Sequence, residues 1–236
     1  MKKFYLTFFL CSLILVLTSA PLWSSPIKSY TPVLVGGTLI DFEGYSEGTL
    51  IDTQYPGVTF GQAPLAGRPM IDQYSWLYGY GSSSGDHVLT GSIEGGYPYP
   101  TVAGITLTFT TPQSDFQAFF SDTAPLGDYV IQAFGSGSVL LESFTVYLSE
   151  TLPPGYNGGI FPSPGTYPLP GIYVGFDRSI ADIAMIQIGP SSYYPGDAFA
   201  IDDVRFASTA VPEPSTMLLL GSGLLGLWGL RRKFRK

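Results

Sequence analysis

In the stretch GITLTFTT (104–111), Ile105, Leu107 and Phe109 alternate with Thr106, Thr108 and Thr110. A period of two places the apolar side chains on one face of an extended chain and the hydroxyls on the other. The segment is therefore read as a half-buried strand rather than a helix. SFTVYLS (143–149) repeats the pattern with Phe144, Val146 and Leu148. Runs of the same character recur at TLIDFE (38–43), PGVTFG (56–61), DHVLTGSI (86–93), SDFQAFFSD (114–122), DYVIQAFG (128–135), ADIAMIQIG (181–189) and FAIDDVRF (199–206). Gly-Ser and Pro-Gly steps separate them, including GSGS at 135–138, which suits a hairpin turn.

Away from the two ends no 3.6-residue apolar period of useful length occurs. With 29 Gly and 20 Pro punctuating aromatic and β-branched runs, the composition agrees with short strands. Roughly ten strands between about 34 and 206 predict an all-β fold, an antiparallel two-sheet sandwich of jelly-roll or lectin-like type. The segment TLPPGYNGGIFPSPGTYPLPG (151–171) holds six Pro and five Gly, so it cannot pair as a central strand. It is read as a long surface excursion, either a flap or the rim of a binding face.

The ends are of another kind. Lys2 and Lys3 precede an apolar run from Phe4 to about Leu17 and then small residues, the pattern of a secretory signal peptide. Cleavage is expected between Ser19 and Ser25, giving a signal segment of 1–25 and an extracellular body of 26–210. The single cysteine, Cys11, lies in the apolar run, so the processed body carries no thiol and no disulfide. At the other end Met217–Leu230 is free of charge, and Arg231, Arg232, Lys233, Arg235 and Lys236 follow at once. Fourteen residues make about 21 Å of helix against a hydrocarbon core of about 30 Å, a marginal span suited to a transient hold in the inner membrane. The basic cluster keeps its own side cytoplasmic.

Charge narrows the partners. From Pro26 to Ala210 only Lys28, Arg68, Arg178 and Arg205 stand against 17 carboxylates, a balance of −13. Such a body repels nucleic acid, whose binding requires neutralisation of phosphates.

Several constellations are candidates for chemistry. QYSWLYGYG places Tyr74, Trp76, Tyr78 and Tyr80 at spacing two, a row that either stacks on the apolar faces of sugar rings or packs at the core margin. Tyr97, Tyr99, Tyr193 and Tyr194 lie in turn-like contexts that extend such a surface. In FAIDDVRF, Val204 and Phe206 on the core face bring Asp202 inward with them, where a carboxylate needs hydrogen bonds or a cation. The early strand LIDFEG offers Asp41 and Glu43, so Asp41, Glu43 and Asp202 form a candidate structural Ca²⁺ site. The alternative is an Asp202 that caps backbone N–H groups at a turn.

The chain contains no GxSxG elbow and no HExxH, and its one histidine, His87, reads as a surface strand residue. No catalytic residue is assigned. The alternative is a secreted glycan hydrolase using a carboxylate pair.

The tail carries a resemblance. Val211-Pro212-Glu213-Pro214-Ser215-Thr216 (211–216), the apolar segment 217–230 with its glycines and the basic cluster 231–236 together resemble the PEP-CTERM sorting signal. The resemblance implies that an exosortase, a membrane cysteine enzyme, cuts near Pro212–Pro214 and passes the body to the cell surface or extracellular matrix. It further implies a structural or exopolysaccharide-binding matrix component. LIDFEG, PGVTF and FAIDDVRF resemble a recurring β-sandwich body of that group, similar in outline to galactose-binding-like and lectin-like sandwiches.

Overall fold

The computed structural model describes residues 24–63, 68–73, 82–91, 104–122, 128–147, 150, 171–190 and 199–208. Among the described residues, twelve strands form two antiparallel sheets. They are β1 (Ser24–Ser29), β2 (Thr38–Ile40), β3 (Val58–Ala63), β4 (Met70–Gln73), β5 (His87–Thr90), β6 (Gly104–Gln113), β7 (Asp115–Asp122), β8 (Tyr129–Phe134), β9 (Leu140–Val146), β10 (Ile172–Arg178), β11 (Ile183–Pro190) and β12 (Phe199–Ala207). The seven-stranded sheet runs β1-β10-β7-β12-β5-β4, with β2 also paired to β12, and the five-stranded sheet runs β3-β6-β11-β8-β9.

The alternation of 104–111 is realised as read: Ile105, Leu107 and Phe109 are buried while Thr108 and Thr110 face solvent. Rings close the space between the sheets. Phe109 of β6 meets Phe206 of β12 at 5.1 Å, Phe144 of β9 meets Phe176 of β10 at 5.2 Å, and Tyr129 of β8 meets Phe199 of β12 at 5.1 Å. Such tilted and edge-on pairs add to the apolar burial.

The GSGS segment makes the β8–β9 turn, with Gly137 at φ 72° and Gly135 N–H donating to the Val139 carbonyl at 2.8 Å.

Three strands escape the periodic reading. β10 is buried at every position from Ile172 to Phe176 and shows no alternation. β1 contains Pro26, which an edge strand tolerates, and it starts inside the interval expected for signal cleavage. β4 is a four-residue edge strand. TLIDFE is shorter than expected, since Phe42 takes φ 59° and extended pairing stops at Ile40.

Both ends of the described body meet at one end of the sandwich. Ser25 pairs with Asp177, Asp177 with Asp115, and Asp115 with Ala207, a row crossing four adjacent strands. Three inter-strand steps separate Ser25 from Ala207 by about 14 Å. At this end β6 turns into β7 through Ser114 alone. Its N–H and Oγ donate to the Ala207 carbonyl at 3.0 and 3.1 Å, and its own carbonyl accepts from Arg178 N–H at 3.0 Å.

Gly175 on β10 sits where an added Cβ would overlap the Phe116 carbonyl oxygen and the Gln117 backbone. Gly175→Ala is expected to cost about 1–3 kcal/mol in urea unfolding, whereas Gly44→Ala, facing open space, leaves the midpoint nearly unchanged.

Candidate functional site

β12 carries a different neighbour along each half of one edge. Ala200 and Ile201 pair with Thr90 and Leu89 of β5, and Val204, Arg205 and Phe206 pair with Ile40, Leu39 and Thr38 of β2. At the junction the register against β7 shifts between Asp202 and Arg205, and Asp203 adopts φ 45°. This bulge inserts an extra residue and reverses the parity of the strand.

The bulge corrects the facing expected for FAIDDVRF. Ile201, not Asp202, shares the core cluster with Val204 and Phe206. Asp202 is buried nonetheless, beneath the turn that leads into β5. Its Oδ2 accepts from the N–H groups of Ser83 and Ser84 at 2.8 and 3.1 Å and from Ser83 Oγ at 3.1 Å, and its Oδ1 accepts from Asp203 N–H at 2.7 Å. These contacts match the capping alternative. Burial raises the Asp202 carboxyl to about 6 against the lowering effect of the backbone donors, and the neighbouring Asp203 adds to the rise. Ser84 Oγ and Tyr173 OH donate to the two oxygens of Asp203 at 2.9 and 3.3 Å.

Glu43 grips the same turn from the other side. The left-handed backbone at Phe42 drops its ring into the core and turns Glu43 back toward β5. Glu43 Oε1 accepts from the N–H groups of Asp86 and His87 at 3.0 and 2.9 Å, and Oε2 lies 3.0 Å from His87 Nδ1. Asp86 Oδ1 is also 3.0 Å from that nitrogen. The hydrogen bond to Glu43 is the main cause raising the His87 imidazole; burial opposes it, and the charges of Glu43, Asp86 and Glu47 reinforce it. Asp41 accepts Glu43 N–H at 3.3 Å.

The structure therefore brings LIDFEG beside FAIDDVRF. Among the described residues, the donor atoms that gather within 4.8 Å of one another belong to Glu43, Asp86 and His87. Asp41 and Asp202 are not in that group. Sequence reasoning passed over Asp86 and treated His87 as isolated, although the adjacent Asp-His at a strand start was a usable signal. Tyr74, Trp76, Tyr78 and Tyr80 lie outside the described residues, as do Tyr97, Tyr99, Tyr193 and Tyr194, the motif 211–216, the apolar segment 217–230 and the cluster 231–236. No helix among the described residues is long and apolar enough to cross a membrane.

Against known proteins, the family model described as the PEP-CTERM protein-sorting motif matches residues 210–233. The chain carries that motif. It directs export and sorting to the cell surface by way of an exosortase. The match covers Val211–Thr216, the apolar segment and Arg231, Arg232 and Lys233 of the basic cluster.

No match was found among the curated proteins. Among solved structures, the K2 cleaved adhesin domain of Lys-gingipain is similar at 14% identity and TM-score 0.46, covering 73% of this chain and 99% of that one. A CBM61 module in complex with β-1,4-galactotriose aligns at 11% identity and TM-score 0.35, covering 68% and 99%. A non-crystalline cellulose specific carbohydrate-binding module, CBM28, aligns at 12% identity and TM-score 0.35, covering 70% and 96%.

The Asp202 geometry yields a pH dependence. With a folded value above the ordinary carboxylate value of 3.8, its contribution to stability is complete below about pH 4 and is lost as pH rises through about 6. The amount is about 3 kcal/mol at most. Asp202→Asn is expected to flatten that part of the stability profile in urea unfolding between pH 4.5 and 7; an unchanged slope would assign the dependence to other groups.

Proposed function

We propose that the body is a non-enzymatic component of the extracellular polysaccharide matrix. It would be delivered as a folded sandwich by a single cut in the tail. The observation that carries this reading is the spacing between fold and motif. β12, the strand paired with β7, β5 and β2, ends at Ala207, and the sorting motif begins at 210. A cut near Pro212–Pro214 removes the apolar segment and the basic cluster and leaves every described strand whole. At the other terminus, cleavage before Ser24 keeps β1 intact against β10. The apolar segment 217–230 serves as the transient membrane hold, with the basic cluster on the cytoplasmic side.

Glycan contact is assigned to the end of the sandwich away from the tail. The connections β5–β6, β7–β8, β9–β10 and β11–β12 all join strands at the end where Phe120, Tyr129 and Phe199 cluster, opposite the Ser25–Ala207 row. Their sequences hold Tyr97, Tyr99, Tyr156, Tyr167, Tyr193 and Tyr194 and contain no Lys or Arg between 92–103, 123–127, 148–170 and 191–198. The β3–β4 connection also opens at this end and carries Arg68, so the four connections that together hold these tyrosines, and no cation of their own, are the ones that suit neutral sugars. The Tyr74–Tyr80 stretch is a separate candidate, since the β4–β5 connection leaves those strands in the opposite direction from the β5–β6 connection.

Two experiments test the two halves of the proposal. Replacing Pro212 and Pro214 by Ala, or deleting Arg231–Lys236, is expected to leave a membrane-held precursor in cell fractionation; normal release would overturn the sorting role of those residues. A glycan-array screen of the released protein, beside a reducing-sugar assay, is expected to give binding to neutral polymers that weakens about tenfold in Tyr193→Ala/Tyr194→Ala, with no sugar release. Turnover of a bound polymer would instead make the body a hydrolase.

A further inference from the structure

From the geometry at the start of β5 we infer a divalent transition-metal site formed by Glu43 Oε2, Asp86 Oδ1 and His87 Nδ1. The site is independent of the matrix role proposed above. The imidazole nitrogen lies 3.0 Å from each of the two carboxylate oxygens, and the three donors fall within 4.8 Å of one another. A cation at their centre replaces the proton that Nδ1 shares with the carboxylates, and the neutral ring then carries its proton on Nε2. Metal–donor distances of about 2.0–2.2 Å in tetrahedral geometry set neighbouring donors about 3.3–3.6 Å apart, so each carboxylate oxygen would move only a few tenths of an ångström from the nitrogen.

The donor set selects the metal class. Imidazole with carboxylates suits zinc and its first-row neighbours, whereas calcium takes six to eight oxygens and gains nothing from a ring nitrogen. Three protein donors leave at least one position to solvent, and Asp86 opens that side with a 53% exposed side chain.

The site is also held from behind. Glu43 Oε1 stays bound to the N–H groups of Asp86 and His87, so the carboxylate is oriented by the same backbone that presents the other two donors. Gly85, at φ 51°, is where a Cβ would overlap the Glu43 carboxyl group. The glycine thus admits Glu43 to the turn, and an alanine there both strains the backbone and displaces a ligand.

The test uses the full chain purified in detergent and stripped with chelator, titrated separately with Zn²⁺, Co²⁺, Ca²⁺ and Mg²⁺ salts by calorimetry. We expect Zn²⁺ and Co²⁺ to bind one ion per chain, with Co²⁺ producing visible d–d absorption, and Ca²⁺ and Mg²⁺ to bind at least tenfold more weakly. His87→Ala and Asp86→Asn each weaken Zn²⁺ binding at least about tenfold. Asp86→Asn, at an exposed position, serves if the histidine variant fails to fold. Absence of Zn²⁺ binding, Ca²⁺ binding as tight as Zn²⁺ binding, or Zn²⁺ affinity unchanged in the folded variants would each overturn the inference.

Discussion

The main-chain pairing of β12 is the constraint on which the rest of the structure depends. One edge of this strand is filled by β7, and the other is shared between β5 and β2. Where β5 gives way to β2 the strand bulges against β7, and the bulge puts Asp202 and Asp203 beside the turn that enters β5. A carboxylate buried there is tolerable because four donors converge on it. Truncating the side chain would leave those donors without their acceptor, each a loss of about 1–3 kcal/mol. The clasp formed by Asp202 and Glu43 is thus a consequence of strand order as much as of local sequence.

How much of this was legible in the sequence depends on whether a residue's partner is local. Alternation revealed β6, because Ile105, Leu107 and Phe109 report the side of the sheet directly. β10 gave no such sign, since a strand buried on both faces at five successive positions has no polar face to alternate. The facing of Asp202 was misread for a related reason. Period-two reasoning assumes an unbroken strand, and the bulge that reverses parity lies in the pairing of β12 with β7, a strand far away in sequence. The pairing of β2 with β12 sets LIDFEG beside FAIDDVRF, but the donors that gather there are Glu43, Asp86 and His87, without Asp41 and Asp202. The partner that Glu43 finds there, the Gly85–His87 turn, arrives from a third segment distant in sequence.

The sandwich also has a polarity that matters for its handling. The row from Ser25 to Ala207 sets both chain ends at one end, where Ser114 ties the β6–β7 corner to the last residue of β12. A precursor held by membrane segments at either terminus would thus meet the membrane with this end. The connections at the other end, β3–β4 among them, would face outward. Folding and sorting would then be compatible, because the proposed cut falls in residues that no described strand uses.

The most direct test of this account is the intact mass and terminal sequence of the protein recovered from the cell surface or medium. The account predicts a chain that begins before or at Ser24 and ends near Pro212–Pro214, without the basic cluster and with urea unfolding as cooperative as that of the full chain. A recovered protein that still carries Arg231–Lys236, or one trimmed into β1 or β12, would contradict it.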